Sequence, residues 1–89
     1  MSQVVLYGTQ FCPFCTQARR LLTAKGIEFQ DVALDSDPAL RAEIMARGSR
    51  NTVPQIWIDD VHVGGYTDLR KVDLYGDLDA LANSGVELP

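Results

Sequence analysis

Cys12-Pro13-Phe14-Cys15 decides how the chain is read, because an apolar run leads into it and a helical pattern leads out of it. Val4, Val5, Leu6 and Tyr7 give a buried-strand signal, Gly8-Thr9-Gln10 reads as a turn, and Ala18, Leu21 and Leu22 recur at helical spacing. Proline lacks an N–H and has a preset φ, so Pro13 suits the first helical position, with Cys12 near the N-cap and Cys15 buried one turn later. The two sulfurs then share one helix face. The unpaired N–H groups and the dipole at a helix N-terminus favour a thiolate, and Cys-X-X-Cys thiols in such places have pKa values of roughly 3.5–7.5, against about 8.5 for a free thiol. Cys12 is therefore expected to be the nucleophile and Cys15 the resolving thiol.

Downstream, Lys25-Gly26 supplies a basic last turn and a stop, and Ile27 to Leu34 alternates apolar with polar as a second strand. Strand, helix and strand make a βαβ unit, which is expected to be right-handed with its strands parallel. Ser36-Asp37-Pro38 starts another helix, with Asp37 as cap, Pro38 first, Leu40 and Ile44 inside, and Gly48 ending it. Ile56 to Ile58 and Val61 to Val63, joined by Asp59-Asp60, predict an antiparallel hairpin that Gly64-Gly65 closes. A last helical region carries Leu69 and Val72 on one face, breaks at Gly76 and resumes with Leu78, Leu81 and Ala82. The order is βαβαββα, an α/β chain with no linker, internal repeat or low-complexity segment.

The 89 residues, 46% hydrophobic, suit one compact domain over 1–89 with a single modest core and no room for a second. A net charge of -4 argues against nucleic acid as partner, since phosphate binding needs a basic face. The charge is uneven: residues 1–34 carry three basic and two acidic side chains and 35–89 five and ten, so an anionic ligand is tolerated near the cysteines. With no basic leader running into a long apolar segment and no stretch of eighteen apolar residues, a soluble cytoplasmic protein is expected. Two cysteines are too few for a secreted disulfide framework. Zinc would need four ligands, and beyond this pair only His62 and carboxylates are offered, so redox chemistry is favoured and no metal site is expected.

Cys-Pro-Phe-Cys, Thr52-Val53-Pro54 and Gly64-Gly65-Tyr66-Thr67-Asp68 stand in the order, and at about the spacing, of the bacterial dithiol glutaredoxins, which the chain resembles over nearly its whole length. The resemblance implies a thioredoxin-like fold, a four-stranded mixed sheet with helices on both faces, and glutathione as electron donor. It implies a cis turn at Val53-Pro54 facing the cysteines, with the Val53 main chain pairing to the cysteinyl part of glutathione. Gly65, Thr67 and Asp68 would take the γ-glutamyl end, through free N–H groups at a helix start and the Asp68 carboxylate; the plainer reading makes Thr67 an N-cap and Asp68 a first-turn acid.

Phe14 keeps the aromatic wall where many relatives have Tyr. Thr9 departs from the pattern, because many glutaredoxins carry Lys there to meet the glycine carboxylate. Arg50 is the candidate substitute as a carboxylate fork, with Gln10 or Gln55 adding hydrogen bonds; its alternative is a solvated surface charge. His62, the only histidine, is expected on the outer face of the hairpin without a role in proton transfer, and Tyr7 and Trp57 as packing. Tyr66 edges the expected groove.

The implied partners are glutathione, disulfide-bearing or glutathionylated proteins and, through the glutathione pool, glutathione reductase, with the chain a monomer. One enzyme alternative stays open, a redoxin fed by thioredoxin reductase for ribonucleotide reductase; a second alternative, of another class, is a [2Fe–2S] carrier in which two chains hold the cluster by Cys12 and glutathione thiolates, which Pro13 disfavours in the family. A binding module with idle thiols is the third.

Overall fold

The computed structural model describes residues 3–76, so the expected last helix at Leu78, Leu81 and Ala82 lies outside them. Seven elements follow in order: β1 Val4–Gly8, α1 Pro13–Ala24, β2 Gln30–Ala33, α2 Pro38–Gly48, β3 Gln55–Ile58, β4 Val61–Gly64 and α3 Tyr66–Leu74. The four strands form one mixed sheet in the order β2-β1-β3-β4. β1 runs parallel to β2 and antiparallel to β3, and β3 and β4 make the hairpin.

Strand periodicity sorts the helices onto two faces. Val4 and Leu6 of β1 and Ile56 and Ile58 of β3 point one way and pack with Ala18, Leu22 and Leu69, so α1 and α3 cover that face. The intervening Tyr7 and Trp57 point the other way, against Ile44 and Leu34, beneath α2. Val4 pairs with Ile58 and Leu6 with Ile56 across the sheet centre, where burying each such side chain contributes roughly 1.5–3 kcal/mol. Among the described residues no helix is long and apolar enough to cross a membrane.

Both long helices start as the sequence reading expects. Pro13 and Pro38 occupy first positions; Cys12 and Asp37 are the N-caps, and the Asp37 carboxylate accepts the Leu40 N–H at 3.0 Å. Their ends differ from expectation. β2 begins at Gln30 rather than Ile27, because α1 closes with Ile27 N–H on Leu22 O and Gly26 N–H on Thr23 O, and Ile27 turns into the core. In α2 the left-handed closing residue is Ser49, with φ 54°, and not Gly48. Gly48 lacks a side chain for a different reason: a Cβ there would collide with the Gln55 carboxamide.

At the end of the two central strands away from Cys12, Gln3 and Asp59 tie the residue ahead of β1 to the hairpin turn. Gln3 N–H donates to Asp59 Oδ1 at 2.9 Å, and Asp59 N–H donates to Gln3 O at 2.8 Å.

Candidate active site

β1 and the loop after it deliver Cys12 to the mouth of α1, where its own sulfur caps the helix by accepting the Cys15 N–H at 3.3 Å. The same sulfur lies 3.7 Å from the Val53 carbonyl oxygen, and the Val53-Pro54 peptide is cis. The helix mouth and the loop ahead of β3 thus face each other across one thiol. Both cysteines are free; Cys12 is partly exposed, whereas Cys15 is fully buried. A bulky disulfide from solution can therefore reach Cys12 and not Cys15.

Burial first, and then the Cys12 sulfur, push the Cys15 thiol up to about 11, with the Thr9 backbone and the Arg19 guanidinium pulling against them. Gly8, read from sequence as part of a turn, is the last residue of β1 and makes room for this thiol. A Cβ on Gly8 would stand 2.9 Å from Cys15 Sγ, closer than real contacts allow.

Beside Cys12 a groove of about 290 Å³ opens, small on the scale of ligand sites. Phe14 from α1, Arg50, Thr52, Val53 and Pro54 from the loop before β3, and Gly65, Thr67 and Asp68 from the start of α3 all line it. The structure thus brings these expected residues together, with Gln10 and Gln55 elsewhere, and Tyr66 edges the groove as expected, its ring stacking on Phe14 with centroids 6.4 Å apart and planes at 27°. α3 opens earlier than a Thr67 cap would set it: Gly65, two residues before, is the N-cap, Thr67 lies inside the first turn, and the Asp68 carboxylate folds back to accept the Gly65 N–H at 3.0 Å. Gly64, at φ 121°, leaves the space that carboxylate fills.

Arg50 reaches across from the α2–β3 loop, its Nη1 2.6 Å from Asp68 Oδ2. Partial burial pushes the Asp68 carboxyl up, but the Arg50 and Gly65 hydrogen bonds outweigh it and hold the group below the usual carboxylate value.

Three expectations are corrected. Gln55 is fully buried and does not face the groove; its Nε2 donates to Arg50 O at 3.0 Å and Thr52 O at 3.2 Å, and lies 3.3 Å from Met45 Sδ. It shapes the Arg50–Thr52 loop from behind. Gln10 lines a different cavity, with Arg19, Asp31 and Asp35, and its N–H donates to Asp35 Oδ2. His62 is not on an open face: its ring is partly buried against Trp57, centroids 4.4 Å apart, because α2 covers that side of the sheet.

Sequence reasoning passed over Arg19, whose Nη2 donates to Thr9 O at 3.2 Å and whose Nε lies 2.8 Å from Asp31 Oδ2. The available signal was its spacing, four residues after Cys15 and so on the same helix face.

A glutaredoxin family model matches residues 4–63. Over 84 residues, 94% of this chain and the whole length of the relative, the sequence is 48% identical to a glutaredoxin of Pseudomonas aeruginosa. The solution structure of a glutaredoxin from Brucella melitensis is similar at a TM-score of 0.89 and 43% identity, covering 99% of this chain and 96% of that one. The crystal structure of a buckwheat glutaredoxin–glutathione complex shares the fold at a TM-score of 0.86 and 23% identity, covering 91% of this chain and 76% of that one.

Proposed function

The chain belongs to the glutaredoxin family, whose paired cysteines make it a thiol–disulfide oxidoreductase, and we propose that it draws its electrons from glutathione to reduce protein disulfides and glutathione mixed disulfides. The observation that carries the reading is the groove beside Cys12, which gathers a cation, a carboxylate and a helix start around a small space. A zwitterionic tripeptide fits that chemistry. Arg50 takes the glycine carboxylate in place of the lysine that Thr9 lacks, and Asp68 takes the γ-glutamyl ammonium. The first free N–H groups of α3, at Thr67 and Asp68, hold the γ-glutamyl carboxylate. The Val53 main chain pairs with the cysteinyl part beside Pro54, Thr52 and Gly65 shape the walls, and Phe14 and Tyr66 supply an aromatic side. That a protein of this fold is known in complex with glutathione supports the assignment.

In the cycle, the Cys12 thiolate attacks one sulfur of a disulfide; a Cys12–S bond forms, the substrate S–S bond breaks, and the departing sulfur leaves as a thiolate. When the adduct is with glutathione, a second glutathione thiolate attacks its glutathionyl sulfur, releasing glutathione disulfide and restoring Cys12. When the adduct is with a protein, Cys15 loses its proton, attacks Cys12 Sγ and expels the reduced substrate. The resulting Cys12–Cys15 disulfide is then reduced by two glutathione molecules in turn. The protein acts as a single-domain monomer in the cytoplasm, its oxidised product recycled by glutathione reductase.

Steady-state rates with glutathione and glutathione reductase, for the parent, Cys12→Ser and Cys15→Ser, test the scheme. Cys12→Ser abolishes activity; Cys15→Ser keeps deglutathionylation and loses reduction of protein disulfides. A Cys15→Ser protein dead in both assays overturns the assigned roles, and turnover with thioredoxin reductase but not with glutathione overturns the donor.

A further inference from the structure

Arg19 is a charged residue with an unusual address. It projects from α1 one turn beyond Cys15, and its side chain is only 24% exposed. A Cβ on Gly8 would meet Cys15 Sγ at 2.9 Å and Arg19 Nη2 at 3.2 Å, so sulfur and guanidinium border the same small space, with Leu6 Cδ2 as its apolar wall at 3.2 Å. The guanidinium is fixed there from two sides, by Thr9 O at 3.2 Å and by Asp31 Oδ2 at 2.8 Å.

We propose that Arg19 is a positioning residue for the two-thiol route: held beside Cys15 by Thr9 and Asp31, it supplies the positive charge that steadies the Cys15 sulfur while it attacks the Cys12 mixed disulfide. The assignment rests on Cys15 being the resolving thiol. Burial opposes ionisation of Cys15, and so do the hydrogen bond to Cys12 and the Cys12 charge; the Thr9 backbone and Arg19 favour it. Once Cys12 is tied up in a mixed disulfide, its sulfur carries no negative charge. The like-charge opposition disappears at the moment Cys15 must act, and Arg19 is left as the ionised side chain that favours its thiolate, tempered by Asp31 behind. The step balances without a further reagent: Cys15 gives a proton to solvent, a Cys12–Cys15 bond forms, the bond from Cys12 to the substrate sulfur breaks, and that sulfur departs with the electron pair.

The test uses 5,5′-dithiobis(2-nitrobenzoate) and no glutathione. Attack by Cys12 releases one coloured thiolate; attack by Cys15 on the adduct releases a second, in a phase independent of probe concentration. In Arg19→Met this second phase slows by about tenfold at pH 7, and its rate profile moves about one pH unit upward, as expected for one charge lost near a buried sulfur. Arg19→Lys restores most of the rate. Asp31→Asn, which unmasks the guanidinium, moves the profile downward. A folded Arg19→Met protein with the parent profile, or failure of Arg19→Lys to recover the rate, overturns the proposal. Should Arg19→Met fail to fold, an Asp31→Asn profile at or above the parent's overturns it. Cys15→Ser lacks the second phase; a second phase surviving there refutes the resolving role of Cys15 itself, and not the part given to Arg19.

Discussion

Arg50 Nη1 lies 2.6 Å from Asp68 Oδ2, so the loop before β3 and the start of α3 are joined by an ion pair lining the groove beside Cys12. The side chains are 47% and 34% exposed, so water screens the attraction and the pair contributes modestly to stability. Its interest is in exchange. A ligand carrying both a carboxylate and an ammonium offers each partner a replacement, so binding costs neither residue its counter-charge.

Replacing Arg50 removes one half of that exchange. Arg50→Ala is expected to raise the KM for glutathione by about three- to tenfold with kcat little changed, the mark of an interaction made equally in the bound and transition states. Unchanged steady-state kinetics would take Arg50 out of the site.

Asp68 has a folded-state pKa below the ordinary carboxylate value, where the unfolded chain is near 3.9. The stability this provides is complete above the unfolded value and is lost as pH falls through the lower folded one. Asp68→Asn should therefore lower the unfolding free energy read from urea titration at pH 7, by no more than about 1 kcal/mol given the exposure, and should flatten the loss of stability below pH 4. Parallel acid profiles for parent and variant would contradict the assignment.

His62 is held below its ordinary 6.5 by burial first and then by the charge of Arg50, with Asp68 opposing. The unfolded chain then takes up the proton earlier, so this group draws stability down as pH falls from about 6.5 toward the folded value. The single Trp57 reports it directly, because the imidazole lies tilted against it, centroids 4.4 Å apart, and its protonation perturbs indole emission. A fluorescence midpoint below 6.5, absent in His62→Phe, is the expected outcome; a midpoint at 6.5 or above would show the ring to be solvated.

Gly8→Ala drives a methyl into the space that Cys15 Sγ and Arg19 share. Overpacking of this kind costs roughly 1–3 kcal/mol, to be read from denaturant midpoints. The displacement is also expected to slow the intramolecular release step more than the first attack by Cys12. Equal slowing of both would place the strain elsewhere.

Much of this architecture is readable from residue order. Cys12-Pro13 and Asp37-Pro38 announce helix starts because proline's missing N–H and fixed φ belong there, and Asp59-Asp60 between β-branched runs announces the hairpin. The groove is legible by likeness, since Arg50, Thr52-Val53-Pro54 and Gly65 to Asp68 stand in recognisable order and converge in space. What escaped depends on neighbours far along the chain. Alternation puts His62 opposite Val61 and Val63 but cannot say that α2 covers its side. A glutamine at position 55 reads as exposed until three acceptors from Met45, Arg50 and Thr52 gather around it. A helical arginine reads as solvated until Thr9 and Asp31 fold over it.

The paired hydrogen bonds between Gln3 and Asp59 anchor the leading end of β1 at the hairpin turn, five strand residues from Gly8 and the cysteine loop, or roughly 17 Å at the usual strand rise. An affinity handle or surface linker grafted ahead of Gln3 would leave the molecule at the pole opposite Cys12. Immobilised by that end, the protein would present its reactive sulfur outward, ready to fish disulfide-bearing clients from solution with a Cys15→Ser trap.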